Sequence, residues 1–137
     1  MRKIKEKILT LTLKKQPIVF AYLFGSYAKN KVLSFSDLDI DVYFDKNLDK
    51  NERRKAISEA RENLEKRLKM PQKIDIVCLN DELPPLLLKN IVYEGKLIYS
   101  KDEQKRINWE SRGMSIWWDW EYYQRQFDNA ILSAPRI

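Results

Sequence analysis

Aspartates crowd two segments of this chain that otherwise read as strands. Gly25-Ser26 ends an apolar run, and ten residues separate the pair from Asp37-Leu38-Asp39-Ile40-Asp41-Val42-Tyr43-Phe44. Further along comes Lys73-Ile74-Asp75-Ile76-Val77-Cys78-Leu79. Strands disfavour aspartate, whose short side chain competes for backbone hydrogen bonds and packs poorly on a pleated surface. Residues that break a local rule in this way tend to mark function. Alternate side chains of a strand share a face, so Asp37, Asp39 and Asp41 should point one way and Leu38, Ile40, Val42 and Phe44 the other. If the Asp75 strand lies alongside, its carboxylate joins the first set. Two carboxylates about 5 Å apart repel by about 3 kcal/mol at an effective dielectric of about 20. Three together need protons, solvent or a cation, and magnesium, hard and oxygen-seeking, is the natural counterion.

Gly25 and Ser26 supply the complementary half. A glycine lets backbone approach a ligand closely, and amides at a following helix N-terminus bind phosphate. The Ser26 hydroxyl adds a further hydrogen bond. A Gly-Ser pair alone means nothing, but this one ends a buried strand ahead of Asp-x-Asp. Together the residues point to a divalent metal and a nucleotide phosphate. The bland alternative for the acids, a solvated strand face or a set of turn caps, needs four features to coincide by chance. For Asp41 alone it stays open: a supplementary acid outside the main set, or an exposed strand residue.

The elements that must position these groups follow from periodicity. Ile4, Ile8 and Leu11 recur at helical spacing, predicting a helix over 2–15 stopped before Pro17. Ile18 to Phe24 reads as a buried strand ending at Gly25. Residues 26–31 read as a short helix or turn, and 32–36 as a loop into the acidic strand. Asp49 and Glu52 form a helix-start box ahead of the stripe Ile57, Ala60, Leu64 and Leu68, predicting a helix over 49–69. A strand over 73–79 follows, then a helix from Pro84-Pro85 through Asn90, a break at Gly95, an edge strand over 96–100 and a helix over 102–129. This alternation is a mixed α/β (α+β) architecture with about four strands and flanking helices. With no linker, repeat or low-complexity segment, residues 1–137 form one expected domain, 102–137 being an aromatic-rich C-terminal helix and tail.

Composition narrows the chemistry. A chain of 137 residues can bury one core. Histidine is absent and Cys78 is the only cysteine, which excludes His-based triads, zinc sites of the His/Cys type and disulfides within the chain. Cys78 lies in an apolar run and reads as a small buried hydrophobe. The net charge of +6 suits a polyanionic ligand or acidic partner. No apolar stretch approaches the roughly 20 residues of a membrane span and no signal-peptide pattern opens the sequence, so a cytoplasmic location is expected.

Gly25-Ser26-Tyr27-Ala28-Lys29-Asn30 through Ser36-Asp37-Leu38-Asp39, with Asp75 as a third acid on a later strand, resembles the minimal nucleotidyltransferase (MNT) family of the DNA polymerase β-like superfamily. The resemblance covers roughly residues 18–100. Two positions depart from the family pattern. Asn30 stands where many relatives have glycine, though asparagine tolerates left-handed backbone angles. Asp41 replaces a usual aliphatic residue. The resemblance implies a polymerase β-like fold and two-metal transfer of a nucleoside monophosphate from a triphosphate, with pyrophosphate leaving. Asp37 and Asp39 would bind both magnesium ions. Asp75 would bind one and help deprotonate the attacking hydroxyl, while Ser26 and the Gly25 backbone hold the leaving phosphates.

MNT proteins resemble one half of a toxin–antitoxin pair whose partner is a helical HEPN ribonuclease. In that picture the MNT protein is the antitoxin and transfers AMP from ATP to a tyrosine of the toxin. No acceptor-binding domain is evident in the sequence, so the acceptor should bring its own recognition surface, and direct nucleic-acid binding is not expected. Every tryptophan lies in Trp109, Trp117, Trp118 and Trp120, followed by Tyr122, Tyr123 and Phe127. On one helix these occupy two faces, more than a domain this small easily buries, so an exposed part would be a protein-contact surface; a helix folded back to complete the core is the alternative, and a division of the two roles between the faces a third reading. Two further readings remain: an MNT-fold module that neutralises its partner by contact alone, and a nucleotidyltransferase for a small molecule or RNA end.

Overall fold

The two acid-bearing segments do lie side by side. A computed structural model describes residues 6–25, 37–68 and 73–135. Its elements are α1 (Glu6–Lys14), β1 (Ile18–Phe24), β2 (Leu38–Phe44), α2 (Lys50–Leu68), β3 (Ile74–Cys78), α3 (Pro85–Glu94), β4 (Lys96–Ser100) and α4 (Glu103–Ser133). The four strands form one sheet in the order β3-β2-β1-β4. β1 is antiparallel to both β2 and β4, while β2 and β3 run parallel. A parallel pair needs a long crossover, and α2 provides it.

Period-two patterning assigns the two sheet faces. On one, Leu38, Ile40, Val42 and Phe44 are buried together with Leu9 and Leu13 of α1 and Ala56, Ala60 and Leu64 of α2. Ile57 and Leu68, expected in the α2 stripe, are only partly buried at its margin. On the other face Phe20 and Tyr22 of β1 pack with Ile91 of α3, and Tyr43 and Trp109 lean on that cluster. Phe20 stacks on Tyr43 at 4.8 Å between ring centroids and lies 5.8 Å from Trp109. The odd-numbered acids of β2 therefore belong to the face that α3 and α4 cover.

Several elements start and stop as their residues dictate. The Asp49 side chain accepts from the Glu52 amide at 2.8 Å, and Glu52 accepts from the Asp49 amide at 3.0 Å. That reciprocal pair caps α2. Asp102 caps α4 by accepting from the Lys105 amide at 3.1 Å. Beyond β3, the Asn80 side chain accepts from the Phe44 amide at 2.8 Å and donates to its carbonyl at 3.0 Å, extending the ladder past the end of the strand.

α4 departs most from expectation. It runs to Ser133, and its 31 residues span about 46 Å. Only Gly113, Met114 and Trp117 of this helix are buried. Trp118, Trp120, Tyr122, Tyr123 and Phe127 are all exposed, so of the aromatic load Trp117 enters the core and Trp109 packs at its edge. None of the described helices is long and apolar enough to cross a membrane.

Candidate functional site

Asp39 and Asp75 are register partners across the parallel β2–β3 pair. On its other side Asp39 faces Phe24 of β1, the residue before Gly25. Gly25 has φ +76°, in the left-handed region where a side chain is strained. A Cβ placed there would lie 2.8 Å from Oδ2 of Asp39, closer than such atoms tolerate. The glycine is thus required twice, by backbone geometry and by the carboxylate pressed against it.

The acids form a gradient along β2. Asp37, just ahead of the strand rather than inside it, is exposed; Asp39 is half-buried; Asp41 is 2% exposed. Burial raises the Asp39 carboxyl above its ordinary range, and the neighbouring charges of Asp75 and Asp37 raise it further. That electrostatic coupling brings the three expected site acids into one neighbourhood. They do not converge into a preassembled cage: among the described residues, no three His, Cys, Asp or Glu side chains are gathered as a metal-holding group. Ser26, the hydroxyl expected to hold phosphate, lies outside the described residues, as does Asn30.

Asp41 corrects the view of it as an exposed strand residue. It pairs in register with Tyr22 of β1, and its Oδ2 is buried with no hydrogen-bond partner among the described residues. Burial, reinforced by the charge of Asp39, pushes its carboxyl up to about 7. Its position two residues from Asp39 was legible, but its burial was not, because the cover comes from elements distant in sequence.

Two further groups shape the site without having been singled out in the sequence. Lys73 Nζ lies 3.4 Å from Asp75 Oδ1 and supplies a counter-charge to the register pair. The signal was available, since residues 73 and 75 alternate onto one strand face. The second group is a network beneath α4. The Tyr22 hydroxyl donates to Glu110, which also accepts from Arg106 at 2.9 Å, and Arg106 donates to Glu103 at 2.7 Å. Burial and the Glu110 carboxylate raise the Tyr22 phenol, so it stays a donor and ties α4 to β1 behind the acids.

With this geometry in view, the comparison with known families is specific. The polymerase beta nucleotidyltransferase family matches residues 6–104. The chain belongs to that family. Within the match fall Gly25, Asp37, Asp39, Asp41 and Asp75, while α4 beyond its first two residues falls outside. No curated protein matches this nucleotidyltransferase chain in sequence.

Solved structures show the same fold. A chain of a toxin–antitoxin structure with AMP-PNP aligns with a TM-score of 0.72 at 20% identity, over 95% of this chain and 100% of that one. A chain of the MntA–HepT toxin–antitoxin aligns at 0.65 and 19% identity, over 96% and 100%. A chain from the complex of the tri-AMPylated Shewanella oneidensis HEPN toxin with MNT antitoxin aligns at 0.59 and 20% identity, over 91% and 99%. At 91% to 96% of this chain, these alignments extend well into α4.

Proposed function

We propose that the protein is a magnesium-dependent adenylyltransferase and the antitoxin of a toxin–antitoxin pair, moving AMP from ATP to a tyrosine of a helical HEPN ribonuclease. One observation carries this reading: Asp39 and Asp75 are paired in register beside a left-handed Gly25 that leaves room for nothing larger. The AMP-PNP and AMPylated-toxin complexes formed by proteins of this fold support the nucleotide and the acceptor.

The donor set fits a hard cation. Burial, reinforced by two acidic neighbours, holds Asp39 toward its protonated form, and these carboxylates offer only oxygen. Asp37, Asp39 and Asp75 would hold magnesium, with the carboxylates drawing together on binding. Bound there, the ions supply Lewis-acid stabilisation of charge on the transferring phosphoryl group. The Gly25 backbone and the Ser26 hydroxyl would take the β- and γ-phosphates of the ATP substrate. The tyrosine oxygen forms the new bond to the α-phosphorus, the bond to the bridging oxygen breaks, and pyrophosphate departs with its electron pair. Asp75 accepts the phenolic proton. A cytoplasmic location, where ATP and magnesium abound, belongs to the same reading.

Purified toxin incubated with this protein, magnesium and ATP labelled at either the α- or the γ-phosphate tests the reading. Label on the toxin from α-labelled ATP only is the expected result. No transfer from either, or transfer from γ-labelled ATP, contradicts it. The exposed aromatics of α4 favour one alternative, neutralisation by contact alone. Under that alternative Asp37→Asn with Asp39→Asn still protects cells from the toxin; under ours protection is lost.

A further inference from the structure

α4 carries a heptad seam that the domain itself covers only at one end. Trp109, Gly113, Ile116, Trp120, Tyr123, Phe127 and Ala130 follow one another at alternating spacings of four and three, which places them on one helix face. The first three line a cleft of about 320 Å³ closed by Tyr43 of β2 and Leu88 of α3. There α3 packs along α4: a Cβ on Gly113 would meet Leu88 at 3.7 Å, and Lys89 sits 5.0 Å above the Trp117 ring. Beyond α3 the same seam is bare. Trp120, Tyr123 and Phe127 are 44%, 70% and 61% exposed. This bare part extends the helix by about 24 Å past Trp117, enough for several turns of a second helix.

The bare half of α4 is net acidic, on a chain whose net charge is +6. There Asp119, on the flank of the seam, and Glu121 and Asp128, farther round the helix, outnumber the single cation Arg125, while Asp81 and Glu82 line the cleft together with Arg112. The nearest cation on the bare half, Arg125, is bound to Glu121 at 2.7 Å. A second copy of the chain would bring acid against acid, because flank charges decide helix pairing.

We propose that the bare half of α4 is a docking surface for a helix of a partner protein, one whose apolar ridge is flanked by Lys and Arg and which continues the line of α3. The surface operates by contact and does not depend on nucleotidyl transfer, so its test reads binding alone.

Two synthetic helical peptides with the same leucine heptad, one flanked by lysine and one by glutamate, are titrated into the full-length protein by calorimetry. The lysine-flanked peptide should bind at least about 10-fold more tightly. Trp120→Asp and Phe127→Asp should each weaken it by about 10-fold or more, the scale of a buried aromatic anchor, while Trp118→Asp, on a different face, changes it less than about 2-fold. All three positions are exposed, so unchanged thermal unfolding of each variant confirms that the fold is intact. Equal affinity for the two peptides overturns the proposal, as does an equal loss with Trp118→Asp. Sedimentation showing self-association that Phe127→Asp abolishes would assign the seam to a second copy, and binding to anionic phospholipid vesicles that the same variant abolishes would assign it to a membrane. Either result also overturns the proposal.

Discussion

A carboxylate in a strand has meaning only through what surrounds it, and Asp39 and Asp41, the two acids inside β2, have different surroundings. Asp39, between Asp75 and Gly25, sits where charge must be neutralised. Asp39→Asn should therefore abolish transfer yet leave the melting temperature of the metal-free protein equal or higher, since it removes a repelling charge. Gly25→Ala combines a left-handed backbone with a clash against Asp39 and should cost roughly 1–3 kcal/mol as well as activity, read by denaturant unfolding and label transfer. Asp41 makes a pH prediction. Unfolded, it loses its proton near 3.8; folded, it holds it to about 7. The unfolded state thus releases the proton first, and stability of the metal-free protein should fall as pH rises from about 4 to about 7, by up to roughly 4 kcal/mol. Denaturant midpoints across that range, with Asp41→Asn flattening the slope, provide the check.

At the scale of elements, what was legible in the sequence was what neighbours in sequence decide. The apolar run of residues 18–24, the alternation in β2 and the Asp49–Glu52 box each specify local structure, and each forms as expected. Asp49→Ala should accordingly cost about 1 kcal/mol of stability without affecting transfer. What long-range packing decides was not legible. The layer of Phe20, Tyr43 and Trp109 joins three elements, and nothing in the spacing of those residues announces it. The same layer conceals why Asp41 is buried while Asp37 is exposed, because α3 and α4 cover only part of that face. Phe20 is fully buried in it, so Phe20→Ala should cost about 3–5 kcal/mol, measured by denaturant unfolding. The aromatic load of α4 was evident in the sequence, but its division between core and surface depended on where α3 ends.

The whole molecule separates two tasks along one face of its sheet. At the start of β2 lie the acids and the glycine turn; beyond α3 the C-terminal helix continues with its aromatics uncovered. The proposed transfer to a protein acceptor needs both a reaction centre and a surface to hold that protein, and the two proposed sites occupy separate segments of one chain. The reaction centre is the more decisive of the two. ATP binding measured by titration calorimetry with and without magnesium, in the wild type and in Asp39→Asn and Asp75→Asn, tests it most directly. Magnesium should tighten ATP binding at least about 10-fold in the wild type, and each substitution should remove most of this coupling. Coupling of undiminished size in both variants would contradict this expectation, because the cation and the phosphates would then be meeting elsewhere on the protein.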